Sequence, residues 1–263
     1  MMRFEGGTEN KQPILVDTHA HICDHAFDQD RQEVINRAQE AGVAAIVMVG
    51  ETLEDARRNL ELAGQYPVLK PAAGLYPEFA DMEEAERLSG FIRQHAARFY
   101  AIGEVGLDFW LAQEEEAREV QRLVFRKFIE LAEGLDLPLN VHSRSAGRQA
   151  VALLLEQGAK RVQMHAFDGR YSAALPAVEA GFFFSVPPSL VRSRQKQKLV
   201  GLLPLSCLLV ESDSPVLGPD VGQRNEPANV VIAVKAIAEI KDIAVDAVLA
   251  AVRENTRRLY GDL

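Results

Sequence analysis

His19 and His21 stand two residues apart in VDTHAH, at the end of an apolar run. Residues two apart in an extended segment point the same way, so both imidazoles can reach one ion. His142 closes the run LPLNVH, His165 closes RVQMH and Glu104 closes YAIGE, while CLLVE runs into Glu211, Ser212 and Asp213. The remaining two of the six histidines, His25 and His95, fall in a loop and a helical stretch and read as incidental. One buried histidine is ordinarily a hydrogen-bonded structural residue, and an HxH pair alone is weak evidence. Four histidines and two carboxylates at the ends of such runs would need that explanation separately for each, so a metal centre is the better reading. Imidazole and carboxylate without thiolate suit Zn, Mn, Mg or Fe, and ligand type alone does not choose among them. Six ligands exceed what one open tetrahedral zinc uses. Two ions sharing a bridging group is the natural solution, and such pairs stabilise both the attacking and the leaving oxygen in phosphoester hydrolysis. Asp17 shares the strand face of His19 and is expected either to orient its ring or to be a plain strand-end acid.

These residues need a frame that gathers strand ends at one mouth. Eight β-rich runs alternate with helical patterns: 14–18, 43–49, 68–74, 100–104, 137 onward, 161–165, 181–186 and 207–211. Most are continuous apolar stretches, as strands buried on both faces should be. Between them the period changes: Val34, Ile35, Ala38 and Ala41 share one helix face, as do Phe128, Leu131, Ala132 and Leu135. Gly42 and Gly158 stand at expected helix ends, and Ser145 is the expected N-cap of a helix through Leu155. Two further helices are expected, one carrying Val230, Val234, Ile237 and Ala238 and one from about Val245 to Leu259. The fold expected is α/β, a (β/α)8 TIM barrel, in one domain spanning 1–263 with a loose lead over 1–12. Catalytic groups of that fold lie at the C-terminal strand ends.

The chain of 263 residues, 48% hydrophobic and 25% charged, can bury a full core, which excludes a disordered chain. Its apolar runs are far short of a bilayer span. MMRFEGGTENKQP lacks an apolar signal region, so a cytoplasmic protein without membrane contact is expected. Two cysteines, Cys23 and Cys207, are too few for a thiolate metal cage or a disulfide framework. Cys23 is expected to be a small buried residue. A net charge of −9 argues against coating nucleic acid by bulk electrostatics but leaves room for a local basic groove.

In order and spacing, these residues resemble the TatD family of metal-dependent hydrolases, deoxyribonucleases within the broader amidohydrolase-like barrels. The resemblance runs from VDTHAH (16–21) to ENTRRLY. It is carried by AIGEVGLDF (101–109), LPLNVHSRSAGR (137–148), MHAFDGR (164–170), ESDSPVLGP (211–219) and RNEP (224–227). VHSRSAGR, HAFDGR, SVPPS and RQKQKLV are most similar to the TatD domain-containing protein 3 subgroup. The resemblance implies two divalent ions, Mg, Mn or Zn. It implies that His19, His21 and Asp213 bind one, His142 and His165 the other, and Glu104 serves both. Asp213 and Glu104 would be the catalytic carboxylates around a metal-activated water, with Glu211 an acceptor behind the ligands. Tyr76, in GLYPE, departs from the pattern, since members often carry histidine there. A phenol can donate to a phosphate but is a poor ligand for a hard ion.

A phosphodiester also needs its non-reacting oxygens held, for which the planar fork of arginine is suited. Arg144 and Arg224 are the expected contacts, with Tyr76 as a donor. RSRQKQK (192–198) is either a basic rim or a solvated helix face, and Tyr76, Phe109 and Trp110 either stack on bases or pack under loops. The expected activity is hydrolysis of DNA phosphodiesters, by resemblance from a strand end. A metal-dependent hydrolase of another ester or amide, such as an aminoacyl-tRNA ester or a small cyclic amide, is the alternative. A non-catalytic nucleic-acid-binding barrel is the second.

Overall fold

The computed structural model describes residues 15–263, so the expected lead over 1–12 and the start of the first run at Ile14 lie outside the described residues. Eight parallel strands follow one another in chain order around a nearly closed barrel. They are β1 (Leu15–Ala20), β2 (Val43–Met48), β3 (Leu69–Ala73), β4 (Ala101–Gly106), β5 (Leu139–His142), β6 (Val162–Met164), β7 (Phe183–Val186) and β8 (Leu208–Val210). The helices between them are α1 (Arg31–Glu40), α2 (Leu53–Gln65), α3 (Met82–Gln94), α4 (Glu115–Leu135), α5 (Gly147–Glu156), α6 (Tyr171–Glu179) and α7 (Arg194–Leu202). Two more, α8 (Val230–Lys241) and α9 (Val245–Tyr260), follow β8.

The helical period works as expected: Val34, Ile35 and Ala38 of α1 and Phe128, Leu131 and Ala132 of α4 are buried. Gly42 and Gly158 take positive φ after their helices, a conformation that costs glycine little. The α5 N-terminus differs from expectation. Ser145 itself adopts φ +57°, and its N–H goes to Asp168 Oδ2 at 3.1 Å, so the helix begins one residue later with Ala146 at the cap and no side-chain bond.

Among the described residues no β-ladder joins β8 to β1, and the seam is held by other means. Thr18 Oγ1 donates to the Val210 carbonyl at 3.0 Å, and the Asp213 N–H donates to the His19 carbonyl at 2.9 Å. That second bond draws Asp213 beside the HxH pair. On the barrel side of the strands an apolar layer of Val47, Ala72, Ala101, Phe183 and Leu209 packs with Leu259 and Tyr260 of α9. Two residues further along β7 and past β8 that side turns polar, with Ser185 after Phe183 and Glu211 after Leu209, because side chains alternate with period two.

Candidate active site

The centre forms where β1, β4, β5, β6 and the β8 loop converge. His19 Nε2 lies 3.2 Å from His21 Nε2, 3.7 Å from Glu104 Oε2 and 3.4 Å from Asp213 Oδ1. His21 Nε2 is 3.4 Å from Glu104 Oε2 and 3.6 Å from Asp213 Oδ1. The other Glu104 oxygen faces a second pair: Oε1 is 2.6 Å from His142 Nδ1 and 3.1 Å from His165 Nε2. Glu104 therefore stands between two histidine pairs with one oxygen toward each. It lies inside β4 rather than closing it, since the strand runs on to Gly106. Asp213 adopts φ +53°, a left-handed conformation tolerated better by Asp than by most residues, and this turns it back toward β1.

Each histidine presents one nitrogen to the centre and the other to an acceptor. His19 Nδ1 donates to Asn140 Oδ1 at 2.8 Å, and His142 Nε2 to Asp108 Oδ2 at 2.9 Å. His165 Nδ1 is 3.4 Å from Glu211 Oε2, and His21 Nδ1 is 3.6 Å from Glu51 Oε1. Such partners fix which nitrogen keeps its lone pair for a ligand. Asn140 cannot reverse its amide cheaply, because its Nδ2 already donates to the Thr18 carbonyl at 2.9 Å and to Tyr260 Oη at 3.3 Å. Tyr260 in turn donates to Gln163 Oε1 at 2.6 Å, Gln163 Nε2 to Ser185 Oγ at 2.8 Å, and Ser185 to Glu211 Oε2 at 2.5 Å. One chain of oriented hydrogen bonds thus runs beneath the centre from His19 to Glu211, passing through the last helix.

The electrostatics explain what this cluster wants. Burial disfavours charge on His165, but Glu211 and Glu104 outweigh it and hold the imidazole well above the usual histidine range. Burial opposes the His21 cation too, and Asp213 and Glu104 overcome it. Burial works against the Glu104 anion, yet His165 and His142 keep its carboxyl well below the usual range. Asp213 is held low in the same way, against its burial, by His165 and His19. Buried carboxylates here demand positive charge at two points, which protons on the imidazoles or metal ions can supply. The spacing fits the second: bonds of about 2.1 Å to a tetrahedral ion place ligand atoms about 3.4 Å apart, close to the separations among His19, His21, Glu104 and Asp213. The sets His19–His21–Glu104 and Glu104–His142–His165 can each hold an ion.

A cavity of about 610 Å³ opens over the cluster at the C-terminal mouth, lined also by Tyr76, Arg144 and Lys196. The ring of Tyr76 stands edge-on to His142, 4.9 Å between centroids, with its hydroxyl 3.4 Å from Asp108 Oδ2. Burial, with Glu104 and Asp108 nearby, pushes its phenol above the usual range, so it stays a hydrogen-bond donor. The Arg144 guanidinium lies 3.8 Å over the ring of Trp110, which is 54% exposed.

Several expected roles are placed differently. Arg224 does not line the cavity: both arms of its fork go to Asp30, at 2.8 and 2.5 Å, and it covers Phe27. Phe109 is buried beneath Arg118 and Arg122 and offers no face to a base. Of the 192–198 stretch, Lys196 alone reaches the cavity wall. Asp17 takes the N–H of Ser212 at 2.8 Å and of His19 at 3.3 Å, so it braces the seam instead of the His19 ring. Burial pushes its carboxyl up to about 8, and its Oδ2 has no partner among the described residues. Glu211 holds the Ala166 N–H at 2.9 Å and lies against His165. Cys23 is buried, with its thiol toward the Val49 carbonyl. Sequence reasoning missed Asn140, Asp108 and Glu51. Asn140 was within reach of it, since it stands two residues before His142 and must share its face.

The family model described as TatD related DNase matches residues 16–261. The chain belongs to the TatD family. Among TatD relatives, the protein named Deoxyribonuclease TATDN3 of Homo sapiens is 44% identical over 261 residues, covering 95% of each chain. An uncharacterized metal-dependent hydrolase of Bacillus subtilis, YabD, is 34% identical over 257 residues, covering 94% of this chain and 99% of its own. The crystal structure of the TatD homologue YjjV from Escherichia coli superposes with a TM-score of 0.87 at 28% identity, covering 95% of this chain and 98% of that one. This TatD chain has no helix among its described residues long and apolar enough to cross a membrane.

Proposed function

We propose that the protein hydrolyses phosphodiester bonds of DNA, from a strand end, with two divalent ions (Mg, Mn or Zn) held by His19, His21, Asp213, Glu104, His142 and His165. The observation that carries this reading is the position of Glu104, with one oxygen toward each histidine pair beneath an open cavity. Relatives named deoxyribonuclease and metal-dependent hydrolase support the substrate and the metal requirement. When bound, the ions would stabilise charge on the phosphoryl oxygens and lower the pKa of a water toward neutrality.

The chain's own side chains supply the rest. Asp213 and Glu104 stay ionised, as groups that orient and take protons from an attacking water must. Asn140, Asp108 and Glu211 keep the histidine lone pairs turned inward. Arg144, braced on Trp110, offers its fork to non-bridging oxygens, and the Tyr76 hydroxyl donates beside it. Two free, buried cysteines suit the cytoplasm, where we place the protein.

The test sets a single-stranded oligonucleotide beside an aminoacyl-tRNA ester and a cyclic amide, each with wild-type protein and Glu104→Gln. Oligonucleotide cleavage at least ten times faster than either rival, and absent in the variant, is expected. Faster ester or amide hydrolysis would overturn the DNA reading in favour of that class. Binding of DNA in chelator without turnover of anything would instead favour a binding module.

A further inference from the structure

Lys196 is a cation of the cavity wall to which the hydrolytic centre gives no role. Lys196 is half-buried, and burial lowers its pKa against the pull of Glu211, Asp168 and Asp213. Its ammonium donates to one neutral partner, the Ala166 carbonyl, at 2.7 Å. Among the described residues no carboxylate oxygen lies within 4.0 Å of it. Its counter-charges act from a distance and none is in contact, whereas a sheltered cation is ordinarily paired directly. Lys196 also sits in the first turn of α7, after the Ser193 cap, where the turn carries Arg194 and Lys196 and no acidic residue. Cations at that end oppose the helix dipole, which favours an anion there. The turn is held in place, since Gln195 Nε2 donates to the Asp168 and Gly169 carbonyls at 2.9 and 2.8 Å. Lys196 lines the same cavity as His165 and Asp213, and so does Arg144, which likewise has no carboxylate within 4.0 Å among the described residues.

We propose that Lys196 is an anion contact of the cavity, gripping a phosphate of the substrate backbone while Arg144, on the other side of the His165 loop, grips a neighbouring one. The polymer rests on the phosphodiester reading above, whereas the anion site does not. The ammonium then gains from substrate the direct anionic partner that it lacks among the described residues, and its bond to Ala166 aims it.

The test uses metal-loaded wild type, Lys196→Met and Lys196→Arg, with inorganic phosphate and a single-stranded oligonucleotide as probes. Loss of a charged hydrogen bond should weaken phosphate binding and raise KM by about 10-fold or more in Lys196→Met, with kcat changed far less. The slope of log KM against log salt should become shallower by about 0.7, the loss of one single-strand phosphate contact. Lys196→Arg should recover most of the affinity and the slope. Unchanged phosphate affinity and salt slope in Lys196→Met, with only kcat reduced, would reduce Lys196 to a tether for the Ala166 loop and overturn the proposal. Should wild type cleave no phosphodiester, the phosphate arm still decides: about 10-fold weaker binding in Lys196→Met sustains the anion site, and equal binding refutes it.

Discussion

Glu104→Gln is expected to leave a folded barrel with turnover reduced at least about a thousandfold, about 4 kcal/mol of barrier. The change conserves volume, so packing around β4 is kept. It removes the charge that two histidine pairs face, with Oε2 at 3.4 Å from His21 Nε2 and Oε1 at 2.6 Å from His142 Nδ1. An amide has one oxygen to offer and turns an NH2 toward the other pair, so it cannot serve both. Metal content after dialysis should fall from two ions to one or none, while the unfolding transition stays cooperative. Wild-type metal content together with more than a tenth of wild-type turnover would show that Glu104 is not shared.

Gly106→Ala should have the largest effect on folding. Gly106 ends β4 at φ +148°, and a Cβ there would meet the His142 carbonyl oxygen at 2.0 Å. That oxygen is main chain of the paired strand, with Gly106 opposite His142 in the ladder. Relief therefore requires moving β5 and the His142 imidazole with it. Strain and clash together should cost more than about 4 kcal/mol, giving insoluble protein or a barrel unable to hold metal. Gly134→Ala is the matched control: it lies in α4 with open space around it, and should be neutral or stabilising by up to about 1 kcal/mol. Thermal unfolding distinguishes the two, and a Gly106→Ala protein as stable as wild type would refute the close approach.

The barrel was legible because strands buried on both faces appear as unbroken apolar runs, and helices between them as a clear 3.6 period. Boundaries moved by a residue or two where local signals compete, as at Ser145, whose left-handed backbone spends its N–H on Asp168. Ligand-type residues were legible because His19, His21, His142, His165 and Glu104 stand on or beside strands whose order brings them to one mouth. What holds them was not. Asn140 meets His19 across 121 residues of chain, and Asp108 meets His142 from the loop after a neighbouring strand. Arg224 shows the converse: its loop suggested a phosphate contact, and Asp30, 194 residues away, occupies it instead. Pairings of this kind depend on three-dimensional closure of the barrel, which no local spacing encodes.

The most direct measurement is cleavage of end-labelled single-stranded DNA by chelator-treated protein, with Mg, Mn or Zn added back at low salt. The account predicts no cleavage without metal, recovery as two ions bind per chain, and a product ladder that starts from one end. Undiminished cleavage by metal-free protein would contradict it.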